Sequence, residues 1–343
     1  MIDVMMPKAQ ARLSSALEHA LQGVAHRFLP PDAPLQNRRV LFALATDDCG
    51  MDEATLHLLR RLRSDAHAMD GSIGALLVDG ESELYTKQLA QETALAANLS
   101  GCALFGKPLV EGTGSLYNQH ILAAKAGMSL RETYFSRARA LVQSLEHFTA
   151  PKFGRPRLVV LHASERGRSG TLWLWERLRE RLEGCCDIRE IPLQNGTIHD
   201  CRGCSYSACL HYAQNDTSFY GGAIAETVLP AIRDCNAMLF LCPNYNDAVG
   251  ANITALFNRL TSLLLQSDLR EKYLFGIVVS GYSGSDLVAK QLLGAMCLNK
   301  GAMLPPRFCM MQTANDLPAA KQLPGIEAQL DAFAAAMRSA MCV

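Results

Sequence analysis

The sequence predicts an α/β protein whose C-terminal half is a doubly wound, five-stranded parallel sheet. After about residue 157, short apolar segments typical of buried strands alternate with segments of helical period. At 343 residues the chain is too long for one ordinary core. The stretch Ala150–Pro156 holds two prolines and a glycine that interrupt every period, as in a linker. We therefore expect a smaller α/β domain of unknown role over residues 1–150 and the sheet domain over residues 157–343.

Composition and charge exclude several classes of protein. Hydrophobic residues make up 49% of the chain and charged residues 19%, which is typical of a soluble globular protein. The formal net charge is zero and no basic run occurs, so neither nucleic acid nor an anionic membrane is expected as a partner. The N-terminus lacks the features of a signal peptide, and no apolar stretch reaches the roughly 18 residues that span a bilayer. The expected location is the cytoplasm.

The N-terminal half shows a weaker pattern. Residues 1–29 are predicted to form one amphipathic helix that ends at Pro30-Pro31. Strands and helices then alternate, which predicts a second α/β layer. The strands are expected at Arg39–Ala45, Ser72–Val78 and Ala103–Leu109, and the helices from near Asp52, over Leu84–Leu99 and over Leu130–His147. The turn Gly112–Ser115 is interpreted as structural rather than as an anion site, because a lone Gly-Thr-Gly is weak evidence.

In the C-terminal half each of five predicted strands is followed by a helix, which specifies the doubly wound sheet. The strands are expected at Leu158–Ala163, Asp187–Pro192, Ala237–Cys242, Tyr273–Ser280 and Arg307–Met311. The helices are expected at Thr171–Glu183, Ala223–Arg233, Ala251–Leu265, Ser285–Leu298 and Ile326–Met337. Ligands of such sheets bind beyond the carboxyl ends of the strands. The loops that follow the strands are therefore the candidate site.

The first loop, Ser164–Thr171, joins the first of these strands to its helix. The loop brings three hydroxyls, two guanidiniums and a glycine to the start of a helix. The residues are Ser164, Arg166, Arg168, Ser169, Gly170 and Thr171. Free backbone N–H groups, hydroxyl donors and a fixed positive charge are what a phosphate dianion requires. The alternative is a polar turn with Thr171 as the helix cap, which explains one hydroxyl but not both arginines. A phosphate site is the favoured interpretation.

The second loop, Pro243–Ala251, makes the pattern more specific. The S-x-R-x-x-S-x-T sequence of the first loop resembles the FMN-phosphate loop of the flavodoxin-like NAD(P)H-dependent FMN reductases. The second loop, leading through Phe257 to Arg259, is similar to that family's P-x-Y loop and its helix ending near D-R. The chain departs from the family at Thr254, where lysine is frequent, and at Asn258, where aspartate is frequent. The resemblance covers only the C-terminal half and implies a flavodoxin-like fold with bound FMN.

Within the second loop, the residues suit the edge of a flavin. The amides of Asn244 or Asn246 can pair with the pyrimidine rim, and Tyr245 beside Pro243 offers a flat apolar wall. A polar turn whose tyrosine packs on the following helix is the alternative. The third loop, Gly281–Ser285, lies where the family closes the flavin pocket, which adds Gly281, Tyr282 and Ser283 to the expected FMN contacts.

A cysteine loop, Cys201–His211, carries Cys201, Cys204 and Cys209. It resembles the four-cysteine motif of the iron–sulfur flavoproteins, a branch of the same family, but the fourth position falls around Thr217-Ser218. Because a [4Fe–4S] centre normally takes four thiolates, a cluster is not favoured. A zinc site that adds His211 and a set of reduced, redox-active thiols are the alternatives.

These observations predict an FMN-dependent oxidoreductase that takes electrons from NAD(P)H and passes them to a quinone, a flavin or another small acceptor. Because hydride transfer to a flavin requires no protein acid, no catalytic side chain is assigned. An iron–sulfur flavoprotein of electron transfer and a flavin-binding interaction protein without turnover are the alternatives. The apolar face of Ala251–Leu265 resembles the helix that pairs subunits in the family, so a homodimer or tetramer is expected.

Overall fold

The computed structural model describes residues 1–50, 52–214 and 221–343. The chain divides into two compact units, Met1–Thr149 and Ala150–Val343. Each unit contains a five-stranded sheet in which all the paired strands run parallel. In the described part of the chain, no helix is long and apolar enough to cross a membrane.

The sheet of the N-terminal unit has the strand order β2-β1-β3-β4-β5. Its strands are β1 (Ile2–Met5), β2 (His26–Phe28), β3 (Arg39–Thr46), β4 (Ile73–Gly80) and β5 (Ala103–Gly112). The helices are α1 (Ala11–Leu21), α2 (Glu53–Ser64), α3 (Thr86–Leu99), α4 (His120–Ala126) and α5 (Leu130–His147). Helices α1 and α5 cover one face of the sheet and bury a core that includes Leu17, Leu41 and Leu141.

The single N-terminal helix predicted over residues 1–29 is wrong, because this segment forms β1, α1 and β2. Ile2–Met5 is buried at all four positions and pairs with β3, so this segment is a strand. Helix α1 ends at Leu21, and Gly23 follows with a φ of 76°, a conformation that favours glycine. The next residues, His26–Phe28, pair with β1 at the edge of the sheet.

The sheet of the C-terminal unit has the strand order β10-β9-β8-β6-β7. Its strands are β6 (Arg157–His162), β7 (Asp187–Pro192), β8 (Ala237–Pro243), β9 (Tyr273–Ser280) and β10 (Cys309–Thr313). In chain order this is 2-1-3-4-5, the arrangement of the flavodoxin-like fold. The strand order reverses between β6 and β8, where ligands bind in sheets of this kind. The predicted fold class is confirmed.

The helices of this unit are α6 (Gly170–Leu182), α7 (Tyr206–Ala213), α8 (Leu229–Asp234), α9 (Ala251–Arg259), α10 (Thr261–Leu264), α11 (Ser285–Leu293), α12 (Leu317–Lys321) and α13 (Ile326–Met341). Two π-helical turns, Ile224–Val228 and Gly294–Asn299, precede α8 and follow α11. Pro230 in the first turn of α8 has no N–H to donate, which explains why the helix predicted over Ala223–Arg233 is not regular throughout.

Two further predictions in this unit need correction. The helix expected over Ala251–Leu265 is divided, because the N–H of Leu260 bonds the carbonyl of Phe257 and tightens the last turn of α9. The strand expected from Arg307 begins at Cys309, because the φ of Arg307 is 52° and a strand requires a negative φ.

Candidate functional site

The three loops singled out in the sequence follow β6, β8 and β9, which are neighbours in the sheet. The backbone N–H of Asn244 bonds the carbonyl of Val279, which joins the second loop to the end of β9. A side chain in place of Gly170 would contact Val279 at 3.8 Å and Ala320 at 3.1 Å, so the start of α6 also lies close to β9. The tertiary structure therefore brings the three loops to one edge of the sheet.

The first loop ends in a capped helix. The cap is Ser169 and not Thr171, since the Ser169 hydroxyl accepts a hydrogen bond from the N–H of Leu172. Thr171 is buried, and its hydroxyl lies 2.7 Å from that of Ser169 and 3.5 Å from that of Ser164. The two hydroxyls of Ser169 and Thr171 thus stand at the positive end of α6, where the first-turn N–H groups lack intrahelical partners.

The two arginines of this loop have different surroundings. Arg166 donates from Nη2 to Oε1 of Glu190 at 2.8 Å and lies 3.9 Å from Glu176. Arg168 is exposed and forms no ion pair with any residue that the structure describes. The charge of Arg168 is therefore available to a ligand, while that of Arg166 is shared with carboxylates.

Glu190 lies on β7 at the centre of a polar group beneath the first loop. Besides Arg166, its carboxylate accepts a hydrogen bond from the indole of buried Trp175 at 2.9 Å, and His162 lies 3.3 Å away. Burial raises the pKa of this carboxyl, but the hydrogen bond from Trp175 and the positive charge of Arg166 act against burial, and the net shift is downward. Burial lowers the pKa of His162, against the opposing effect of Glu190. The group holds Glu190 ionised beside a neutral imidazole.

Glu190 and His162 were absent from the residues expected to shape the site. Both lie inside predicted strands, where the alternating pattern indicates only which face a side chain occupies. A glutamate within a short edge strand is a weak signal, because exposed glutamates are common.

The second loop is held by one amide. Asn244 Nδ2 has two N–H groups and lies within hydrogen-bond distance of three acceptors: Asp247 Oδ1 at 3.1 Å, Ser280 Oγ at 3.0 Å and the carbonyl of Ser283 at 3.0 Å. Its Oδ1 atom is buried and has no hydrogen-bond partner among the described residues. A buried acceptor without a partner is costly, and a ligand N–H would satisfy it. Asn244 therefore joins the second and third loops and leaves one acceptor free.

The third loop approaches the second closely at Gly284, whose φ is 83°. A Cβ atom there would lie 2.3 Å from Oδ1 of Asp247, so only glycine fits without displacing that side chain. Asn246 in the second loop also has a left-handed backbone, with a φ of 54°. Tyr245 is 64% exposed and Tyr282 is 85% exposed. Two large aromatic side chains therefore stand in solvent on the adjoining loops.

The segment predicted as a cysteine loop is a loop only in part, because Cys201 and Cys204 precede α7 whereas Cys209 lies within this helix. The pKa of Cys209 is raised, first by burial and then by the neighbouring Cys204 and Cys201. In the part of the chain that the structure describes, the three sulfur atoms do not all lie within 4.8 Å of one another. Thr217-Ser218, where a fourth ligand was expected, lie outside the described residues. The thiols are neighbours without forming a compact ligand set.

The end of α9 contacts the chain on both sides of the cysteine segment. Buried Arg259 donates to the carbonyl of His199 at 3.2 Å and to that of Gly221 at 3.1 Å. Asn258 donates to Asp200 at 2.9 Å. The Arg259 position of the resemblance therefore has a structural role in this chain, because its guanidinium ties two loop carbonyls to the helix.

Residues 156–316 match the family model of the NADPH-dependent FMN reductases. The match confirms, for this part of the chain, the resemblance drawn from the first and second loops. No curated protein matches the chain.

Among solved structures, RosB with a bound 8-demethyl-8-formylriboflavin-5'-phosphate intermediate is similar at 11% identity, over 52% of this chain and 76% of RosB, with a TM-score of 0.42. The NAD(P)H:quinone oxidoreductase of Methanothermobacter marburgensis is similar at 14% identity, over 55% of this chain and 95% of that protein, with a TM-score of 0.38. A WrbA-like flavodoxin of Agrobacterium tumefaciens is similar at 14% identity, over 54% and 97% of the two chains, with a TM-score of 0.35.

Proposed function

We propose that the C-terminal unit binds FMN at the edge formed by the three loops and acts as an FMN-dependent NAD(P)H oxidoreductase. The observation that carries the proposal is the first loop. The hydroxyls of Ser169 and Thr171 lie at the start of α6, and Arg168, which precedes them, forms no ion pair with any described residue. The family match over residues 156–316 supports it.

The phosphate of FMN would lie at the start of α6. The first-turn N–H groups of Gly170 and Thr171 and the nearby hydroxyls supply donors, and the helix dipole favours an anion. Arg168 adds a full positive charge, and Arg166 adds the donors that Glu190 does not occupy. Each group matches one requirement of a phosphate dianion.

The isoalloxazine ring would lie against the second and third loops. The free acceptor Oδ1 of Asn244 suits the N–H of the pyrimidine rim. Tyr245 on the second loop and Tyr282 on the third loop have exposed aromatic side chains, and such side chains can pack against a flat ring. FMN, when bound, supplies the hydride acceptor, while these residues bind and orient it.

The donor in the proposal is NAD(P)H, and the acceptor is a quinone, a second flavin or another small molecule. An iron–sulfur flavoprotein is the second candidate, because Cys201 and Cys204 lie beside Cys209 in the structure. Subunit association into a homodimer or tetramer is also part of the proposal. The apolar residues that suggested it, Ile253, Leu256 and Leu260, are already buried within this unit, so the contact would use another surface of α9.

An anaerobic absorbance spectrum after titration with FMN tests the proposal. Flavin bands with one FMN per C-terminal unit, bleached by NADPH or NADH, are expected for the oxidoreductase. A broad additional shoulder with iron and sulfide would favour the iron–sulfur alternative. Failure to bind FMN would eliminate both flavin functions. Light scattering on the same sample measures the oligomeric state.

A further inference from the structure

A cleft of about 580 Å³ opens between α9 and the π-helical turn that follows α11. Its volume lies in the range of small-molecule sites. The cleft is separate from the three loops at the strand ends, except that Val249 of the second loop forms part of its wall. The polar side chains that line it belong to Cys201, Thr254, Asn258, Gln291, Asn299 and Lys300.

Lys300 is the one charged side chain among the described residues that line this cleft. No aspartate or glutamate is among the described residues that line it. Lys300 is half-buried and forms no ion pair or side-chain hydrogen bond with any described residue. Burial lowers the pKa of its ammonium group. A partly desolvated cation without a counter-ion costs free energy, which an anionic ligand would offset.

Neighbouring amides complete the set of donors. Asn299 precedes Lys300, is exposed, and has no hydrogen-bond partner among the described side chains. Asn258, across the cleft on α9, uses its amide N–H to bind Asp200 at 2.9 Å, and Asp200 itself does not line the cleft.

The cleft is connected to the second loop through Gln291. Its Oε1 accepts a hydrogen bond from the N–H of Val249, and its Nε2 donates to the carbonyl of Asp247, both at 2.9 Å. The same side chain lines the cleft. A ligand in the cleft would therefore contact the residue that holds the proposed flavin-binding loop in place.

We propose that this cleft binds the phosphate group of a small ligand, with Lys300 as its charged anchor and Asn299 as a neighbouring donor. The nicotinamide dinucleotide of the proposed function is one source of such a group, and free phosphate is the other. Only the choice of the dinucleotide depends on the proposed function. The position of Lys300 in the cleft, with no carboxylate among the described lining residues, does not depend on it.

Isothermal titration of the FMN-loaded protein with NADP⁺ and, separately, with inorganic phosphate tests the proposal. Lys300→Gln is expected to weaken binding of the recognised probe at least about tenfold, because one charge-assisted hydrogen bond is lost. Lys300→Arg should retain much of the affinity, and Lys125→Gln, an exposed change in the N-terminal unit, should retain all of it. A loss for NADP⁺ identifies the dinucleotide, and a loss for phosphate alone identifies the free anion.

Equal binding by the wild type and Lys300→Gln would overturn the proposal, and so would the absence of any binding by either probe. FMN affinity of Lys300→Gln, measured by flavin fluorescence, should equal that of the wild type. If the protein does not bind FMN at all, the proposed function fails. The same titrations on the flavin-free wild type and on flavin-free Lys300→Gln then still test the cleft.

Discussion

Arg166 of the first loop and Glu190 of β7 form an ion pair with an Nη2–Oε1 distance of 2.8 Å, directly beside the site proposed for the FMN phosphate. The pair means that one of the two arginines is held in place before any ligand arrives. It also means that a carboxylate competes with a phosphate for the same guanidinium. Arg168 has no such competitor among the described residues.

Arg166→Ala combined with Ser169→Ala should weaken FMN binding far more than riboflavin binding, because only FMN carries the phosphate. Each lost charge-assisted bond should cost about 1.5–3 kcal/mol. Arg168→Ala alone should cost more than Arg166→Ala alone, since Glu190 already shares the charge of Arg166. Fluorescence titrations with both flavins measure these losses, and equal losses for the two ligands would refute the phosphate site. Ser169 also caps α6, so folding of the double variant is checked by circular dichroism.

Glu190→Gln removes the competing negative charge and keeps an acceptor for the indole of Trp175. FMN should bind several-fold more tightly to this variant, because Arg166 is released and the carboxylate no longer repels the phosphate. Riboflavin affinity should not change. Weaker FMN binding at unchanged riboflavin binding would instead mean that Glu190 positions Arg166 for the ligand.

The pH dependence of stability should report His162. Burial lowers its pKa in the folded protein below the ordinary value of 6.5, so the unfolded chain binds more protons between the two values. The stability contributed by the neutral imidazole is full above pH 6.5 and is lost as the pH falls through the lowered pKa. The urea midpoint of unfolding should therefore change less between pH 7 and pH 5 in His162→Gln than in the wild type. An exposed control, His120→Gln, should behave as the wild type does.

Tryptophan fluorescence follows this transition in the C-terminal unit alone, because both tryptophans of the chain, Trp173 and Trp175, lie on α6. The same midpoint shift in wild type and His162→Gln would contradict the assignment to His162.

The cysteine loop should leave the purified protein poor in iron and in acid-labile sulfide, because three thiolates leave one position of a [4Fe–4S] centre open. Metal and sulfide analysis after anaerobic purification measures this. Near-stoichiometric iron and sulfide, lost in Cys204→Ser while FMN stays bound, would show that the expectation is wrong. Alkylation offers a control: exposed Cys201 should react before Cys242, whose pKa burial raises to about 12.

In the N-terminal unit, Arg12→Ala should be strongly destabilising. Arg12 pairs at 3.0 Å with Asp79, a fully buried carboxylate, and also donates to the carbonyls of Thr113 and Gly114. Removing the cation leaves a buried charge without compensation, at a cost of about 3–5 kcal/mol. Lys8→Ala removes only a partly exposed 4.0 Å pair with Asp47 and should cost about 0–1 kcal/mol. Differential scanning calorimetry compares the two, and similar effects would contradict the role given to Arg12.

The sequence by itself determined the elements in which the hydrophobic periodicity extends over many residues and in which residues near the ends favour a helix or strand boundary. Helix α5 spans Leu130–His147 as predicted, and its start is a capping box of Ser129 and Glu132 that is complete within four residues. Strands β7 and β9 also have the predicted bounds. The first loop could be singled out for the same reason, since helix start, hydroxyls and arginines are contiguous in the chain.

Only the tertiary structure decided features that depend on a distant partner. β1 and β2 are four and three residues long, too short for a period, and become strands because β3 pairs with β1. The partnership of Arg166 with Glu190 spans 24 positions, and the joining of the second and third loops by Asn244 spans 39. A local sequence pattern reports only the hydrophobic period of its own segment. A hydrogen bond or ion pair between distant residues forms only where the fold places both partners next to each other.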